Sequence, residues 1–330
     1  MMARSPRSPR PPRTLLRQRG VAVVTALLLT TLAVTIVASL FWQQQVQVRS
    51  MENQRLQLQT RWILRGALDW ARLILRQDGM DRGRVTTLDG VWATPLAETR
   101  LDQYVERERV EGENFNATLS GQMTDAQSRY NLANLAVSRA PVAEQVAVFQ
   151  RLLTVLQLDG SLAQAVADEV ARAQQPAAQG QAASNALPVR AGTEPMEMMR
   201  AEDLLAVAGF TPQAIERLRD FVIVLPAQTA INVNTAPVEL LAALPENFSM
   251  AEAAALAYHR KQAYFNDVGT YKSQLNGKQV SSKVNIDIRS DYFLVLSKVR
   301  LDRANLDAQA LIQRESSGNY KTDLVWIRQN

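Results

Sequence analysis

Few side chains in this sequence could carry chemistry, and their spacing decides what kind. His259 is the single histidine in 330 residues, and there is no cysteine. It falls in a helical stretch, Ala251–Gln262, between Tyr258 and Arg260. One imidazole, with no second histidine and no thiol, cannot build a His-based metal site or a Cys/His catalytic pair. It reads as a surface residue. No Gly-x-Ser-x-Gly, Walker or dinucleotide-binding glycine pattern occurs, so no catalytic residue is assigned. Carboxylates gather at Asp78 and Asp81 and in Asn285-Ile286-Asp287, oxygen ligands of the kind calcium takes. Neither group defines a ligand set. Calcium is the one cofactor the sequence leaves room for; none is required, and the metal ligands stay unknown.

The stretch Ile231-Asn232-Val233-Asn234-Thr235-Ala236-Pro237 leads into Val238-Glu239-Leu240-Leu241. It has the marks of a helix start: an Asn or Thr cap, proline in the first turn and Glu239 close behind. It resembles the entry to a helix-hairpin-helix module of competence-type DNA-binding proteins. In those proteins a Gly-x-Gly hairpin presents bare N–H groups to phosphate. Here the hairpin reads Pro245-Glu246-Asn247-Phe248-Ser249, an acid and a bulky ring where phosphate would approach. The net charge of +5 gives DNA binding no support either. Six arginines lie in the first 20 residues; without them 31 basic groups face 32 acidic ones, a net of −1. A SAM-like packing unit is expected here, with no nucleic acid as partner.

Those six arginines, Arg4, Arg7, Arg10, Arg13, Arg17 and Arg19, stand before Gly20 with no acid among them. Val21 to Trp42 follow, 22 residues without charge, proline or glycine. At about 1.5 Å per helical residue they reach about 33 Å, enough for a hydrocarbon core of about 30 Å. The first acid after them is Glu52. The positive-inside rule puts the short N-terminus in the cytoplasm and the remainder across the membrane. A plain signal anchor shares this pattern. A signal peptide has a shorter apolar region and a small-residue cleavage site, which Phe41-Trp42-Gln43-Gln44 does not supply. Gly20 favours a third reading, because a helix entering here would prefer almost any other residue.

A basic leader ending in glycine, followed at once by an apolar helix, resembles the class III leader of type IV pilins and pseudopilins. The resemblance implies that a prepilin peptidase cuts between Gly20 and Val21 and methylates the new amine of Val21. That family usually has Phe or Met first and almost always Glu fifth. This chain has Val21 first and Thr25 fifth. A carboxylate at that depth costs about 2.5–3.5 kcal/mol to insert. In pilins it pairs with the terminal ammonium of a neighbouring subunit. A subunit with no neighbour on that side has nothing to pair with. Loss of this glutamate is typical of the K minor pseudopilin of type II secretion, the general secretion pathway protein K family, and implies a place at the pseudopilus tip.

The elements that carry these residues follow from periodicity. Leu56, Ile63, Ala67, Trp70 and Ile74 form one stripe of an amphipathic helix that continues from Trp42, with Asp78-Gly79 as its stop. A break near Gly66 is the other reading. Residues 80–100 are turn-rich, with Val85, Trp92 and Leu96 as core anchors. Tyr104–Val110 and Phe115–Gly121 read as a hairpin. Asp125 through Asn131-Leu132-Ala133-Asn134-Leu135 carries turn and cap signals and resembles the D…R(Y/F)N(L/I)N.L signature of K pseudopilins. Helices are expected at about 141–158 and 161–174, and a flexible loop at 175–196. Residues 291–301, 306–315 and 321–328 read as an antiparallel meander with a turn at Ser316-Ser317-Gly318-Asn319.

The fold class expected is α+β: a pilin-like long N-terminal helix packed on an antiparallel sheet, with a large all-helical insertion. The boundaries are a leader at 1–20, a helix at 21–78 (transmembrane 21–42), a sheet from 79–124 and 286–330, and an insertion at 125–285. The insertion divides into SAM-like parts at about 125–225 and 226–285. The resemblance implies a subunit of the inner membrane, single-pass, with a periplasmic C-terminal domain. Its expected partners are the I and J minor pseudopilins, other pseudopilins and the prepilin peptidase. Its expected task is to start and cap the pseudopilus that drives export of folded proteins. The alternatives are a membrane-anchored periplasmic binding protein and a competence-type DNA-binding protein.

Overall fold

The computed structural model describes residues 19–101, 116–174 and 196–329. The low-complexity reading of residues 1–13, the strand expected at Tyr104–Val110 and all but the last residue of the loop expected at 175–196 lie outside the described residues.

The first element is a single helix, α1, Arg19–Arg82. It has no break at Gly66 and runs three residues past the stop expected at Asp78-Gly79. The chain divides into two compact units, the first ending at Leu58 and the second covering Gln59–Asn330. In the first unit every described side chain is exposed except Leu56, which is half-buried. Its apolar part has a mean hydropathy of 2.5 over its most apolar window, with nothing buried, and by length and composition it could cross a membrane.

The second unit begins with the last turns of α1. Leu64, Leu68, Ala71 and Leu75 are buried, at helical spacings of 4, 3 and 4. The stripe expected from sequence sits one position off. Ile63, Ala67 and Ile74 are only half-buried, and Trp70 is 50% exposed. These turns cover a five-stranded sheet of β1 (Leu96–Arg100), β2 (Ala117–Asp125), β3 (Tyr292–Leu301), β4 (Ala304–Arg314) and β5 (Thr322–Gln329), adjacent in that order. All pairs are antiparallel. The meander of the last three strands is as read from sequence. Strand β1, in the stretch read as turns, pairs with β2, Leu96 opposite Gly121 and Arg100 opposite Thr118 around a bulge. A five-residue edge strand with Glu98 and Arg100 on it shows too little alternation to announce itself. The inner sheet face supplies Phe293, Val295, Val299 and Ile312 to the core against α1. Trp92 is buried there, edge-on to Phe293 at 5.2 Å between centroids.

Between β2 and β3 the chain leaves the sheet and builds a helical block. Its main helices are α2 (Ala143–Val155), α3 (Leu162–Ala173), α4 (Pro212–Leu218), α5 (Val238–Ala243), α6 (Met250–Gln262) and α7 (Val268–Ser273). Local signals start several of them. Thr211 accepts from the Ala214 N–H ahead of Pro212, and Ser249 and Glu252 form a reciprocal capping box. The buried residues of the block's core all lie between Tyr130 and Ile288. A smaller cluster joins block to sheet, where Ile223 and Leu225 meet Tyr292, Leu294 and Leu311 on the sheet's outer face.

Candidate functional site

The residues expected to act at the N-terminus stand in the first turns of α1. Arg19 and Gly20 are already helical, so Gly20 lies inside the helix rather than ahead of it. Val21 is 60% exposed. Thr25 turns its hydroxyl back on the helix, donating to the carbonyls of Val21 and Ala22, both at 3.0 Å. Thr30, Thr31, Thr35 and Ser39 donate likewise to carbonyls three residues earlier. Every one of these hydroxyls finds its acceptor within its own helix, which makes the segment compatible with hydrocarbon. None offers a formal charge.

The end of α1 is held by side chains far away in sequence. The Arg314 guanidinium, 6% exposed, donates to Asp78 Oδ2 at 2.8 Å, to the Leu75 carbonyl at 3.1 Å and to Thr86 Oγ1 at 3.0 Å. It also lies over the Phe293 ring at 4.7 Å. Arg72 donates from Nε and Nη2 to the Thr322 carbonyl, and Arg76 donates to the Asn319 carbonyl. Tyr320 lies in a notch made by Gly79 and Gly83. A Cβ at Gly79 would stand 2.7 Å from its ring, and one at Gly83 only 1.8 Å from its hydroxyl oxygen. This explains why the glycine at 79 does not end the helix: it is there for close packing. Neither Arg314 nor Tyr320 stood out in the sequence, since nothing local marks a residue whose partners lie some 240 positions away.

Where the block leaves and rejoins the sheet, one carboxylate gathers both crossings. Asp125, fully buried, accepts at Oδ2 from Asn232 Nδ2 (3.0 Å), Thr235 Oγ1 (2.5 Å) and Ser290 Oγ (2.5 Å). Its Oδ1 accepts from the Gln127 N–H at 2.8 Å. Burial pushes its carboxyl above the ordinary range, although all four donors pull the other way. Asn232 Nδ2 also donates to Ser290 Oγ and to the Thr86 carbonyl, which ties this cluster to the Arg314 network. The two asparagines of the Asp125–Leu135 signature fasten the second half of the block. Asn131 accepts from the Leu225 N–H and donates to the Ala227 carbonyl. Asn134 exchanges two bonds with the Thr229 backbone. Asp125 and Asn131 also act as caps, as their types indicate, but of short 3-10 turns.

The polar residues that resemble a DNA-binding module have structural duties. Asn232 and Thr235 serve Asp125, and Asn234 exchanges two bonds with the Phe265 backbone. The start of α5 therefore has no Asn or Thr cap; Pro237 holds that position without a side-chain bond. Phe248, in the hairpin, is buried. Arg260 is spent on the Val233 and Ala236 carbonyls, and burial lowers it to about 10. His259 is exposed on α6, edge-on to Tyr258 at 6.5 Å. Of the carboxylates, Asp78 is committed to Arg314, Asp81 accepts from Gln77, and Asp287 accepts from the Ile288 N–H and pairs with Arg289. Among the described residues no group of three or more His, Asp or Glu side chains stands close enough to hold a metal ion.

Comparison with known proteins matches this arrangement. Residues 128–227 and 231–289 each match a family described as type II secretion system (T2SS), protein K. Type II secretion system protein K of Pseudomonas aeruginosa is 28% identical over 323 residues, covering 92% of this chain and 91% of that protein. That of Klebsiella pneumoniae is 26% identical over 331 residues, covering 91% and 93%. These matches, successive through the helical block and end to end with the relatives, support reading the chain as a type II secretion system minor pseudopilin of the K kind. The GspK-GspI-GspJ complex of enterotoxigenic Escherichia coli contains a chain of the same fold, with a TM-score of 0.65 at 18% identity. That match covers 85% of this chain and 99% of the other.

The two segments that match the family lie wholly within the helical block between β2 and β3. Asp125 and Ser290, which tie the two ends of the block together, flank those segments on either side.

Proposed function

We propose that this chain enters the inner membrane through Val21–Trp42, with residues 1–20 cytoplasmic and the second unit in the periplasm. The prepilin peptidase cuts between Gly20 and Val21 and methylates the amine of Val21. The mature subunit joins the I and J minor pseudopilins at the pseudopilus tip. From there it starts and caps the fibre that drives folded proteins across the outer membrane. Its work is assembly rather than catalysis.

One observation carries the tip assignment. At the fifth mature position Thr25 stands where a shaft subunit offers a carboxylate, and its hydroxyl is already spent on the carbonyls of Val21 and Ala22. No carboxylate stands there to form an ion pair with the ammonium of a subunit on that side. The test is mass spectrometry of the chain purified from secreting cells. The expected species begins at N-methyl-Val21, and Gly20→Ala keeps its leader. Normal trimming of Gly20→Ala, or an intact leader on the natural chain, would remove the peptidase from the account. Occurrence of the subunit in many copies along the fibre would remove the tip assignment.

A further inference from the structure

Two buried residues that lie in neither helix nor strand, Thr86 and Ser290, have their N–H, carbonyl and hydroxyl groups all engaged. The Thr86 N–H donates to the Ile288 carbonyl at 2.9 Å, and the Thr86 carbonyl accepts from Asn232 Nδ2 at 3.0 Å. The Thr86 hydroxyl oxygen accepts from Arg314 Nη2 at 3.0 Å and from the Ser290 N–H at 3.1 Å. The Ser290 carbonyl accepts from the same Arg314 nitrogen at 3.3 Å. The Ser290 hydroxyl donates to Asp125 Oδ2 and accepts from Asn232 Nδ2. Though 204 positions apart in sequence, the two residues stand together between two distinct ends.

One end is the last part of α1, which Arg314 holds through the Leu75 carbonyl and Asp78. The other is the turn Ile231–Thr235 ahead of α5, where Asn232 and Thr235 donate to Asp125. One cation serves both carboxylates. Asp78 meets the guanidinium directly; the four donors on Asp125 are uncharged, and Ser290 stands between it and Arg314. No member of this series is more than 8% exposed, so water does not replace a bond that is lost. In such a dry series each bond polarises the next. The end of α1 is the part able to open. Gly79 lies inside it and Gly83 follows directly after Arg82, so backbone propensity holds it poorly and the Arg314 contacts hold it instead.

We infer that Thr86 and Ser290 form a relay that couples the docking of the last turns of α1 to the attachment of the helical block at Ile231–Thr235, so that opening at either end loosens the other. The coupling runs equally in both directions, as equilibrium linkage requires. It goes beyond the proposed function and does not depend on it. Whatever shifts the end of α1 is felt in the block through these two residues, with no rearrangement of the sheet.

Amide hydrogen exchange of the full-length chain in detergent, read peptide by peptide, tests the relay from both ends. Asp78→Asn weakens the hold of Arg314 on α1 and touches nothing in the block. It is expected to speed exchange across residues 231–237 at least about fivefold, the lower end of ordinary coupling between sites. Thr235→Val keeps the side-chain shape and removes one donor to Asp125. It is expected to speed exchange across residues 76–82 by a similar factor. Residues 304–310 of β4 are expected to exchange unchanged in both variants. In a Ser290→Ala background, where the relay is cut, adding Asp78→Asn is expected to change exchange across residues 231–237 less than about twofold. Asp78→Asn that loosens only the end of α1 would overturn the inference. So would an undiminished effect in the Ser290→Ala background, or faster exchange in β4 as well, which would report general loosening. Where Asp78→Asn does not fold, Thr235→Val decides alone, and unchanged exchange across residues 76–82 overturns the relay.

Discussion

Asp125 shows how one side chain can fix where a large insertion attaches. Four donors converge on its carboxylate: the Gln127 N–H just after β2, Asn232 and Thr235 within the block, and Ser290 just before β3. Buried donors that lose their acceptor keep the full cost of desolvation. Asp125→Ala would leave Asn232, Thr235 and Ser290 without this acceptor and open a void. A loss of about 3 kcal/mol or more is expected, measured by chemical denaturation of the full chain in detergent. Asp125→Asn keeps the shape and one carbonyl oxygen, and the Thr235 and Ser290 hydroxyls can turn to accept from the new amide. It should cost less than the alanine. Equal stability of Asp125→Ala and the natural chain would mean that packing at Ile223 and Leu225, not this cluster, holds the block in place.

The pairing of α1 with the β4–β5 hairpin depends on two glycines that sequence alone presents as helix breakers. In an exposed helix Gly→Ala stabilises by about 1 kcal/mol. At Gly79 the opposite sign is expected, because the new methyl would collide with the Tyr320 ring near its root, where the side chain cannot swing away. Overpacking of this kind costs about 1–3 kcal/mol. Thermal unfolding should therefore show Gly79→Ala destabilised, and Gly79→Ala with Tyr320→Ala less so than the sum of the two single changes. A stabilised Gly79→Ala would refute the notch. The same elements show what could be read in advance. The membrane segment and the meander were legible because their periods, helical and alternating, are strong and local. The core stripe of α1 was read one position off because Ile63, Ala67, Trp70 and Ile74 are as apolar as Leu64, Leu68, Ala71 and Leu75. Nothing in the sequence says which side meets the sheet. Strand β1 was illegible because it is short and charged. The Asp125 and Arg314 networks were illegible because their members meet only after the chain has folded back on itself; asparagines read as helix caps proved to be long-range clasps.

For the molecule as a whole, the question is whether the helical block is a graft or part of one cooperative core. Its buried apolar residues come only from Tyr130–Ile288, while those facing α1 come only from α1, the β1 region and the sheet. The two are joined by a small cluster and by the Asp125 junction. The ends of the block also lie together, since Asp125 pairs with Phe293 in the sheet and its carboxylate holds Ser290. An insertion with its own core and adjacent ends can fold before the sheet closes around it, with no long loop to order first. Residues 126–290 expressed alone should therefore unfold in a single cooperative thermal transition with native-like helical circular dichroism. The exposed Ile223 and Leu225 should bind little hydrophobic dye. The full chain should then unfold in two steps rather than one, the sheet and α1 separating from the block when Asp125→Ala weakens their junction. A fragment that is helical but melts without cooperativity and binds dye strongly would show that the sheet completes the block's core. The insertion would then have to be understood as one folding unit with the pseudopilin scaffold that carries it.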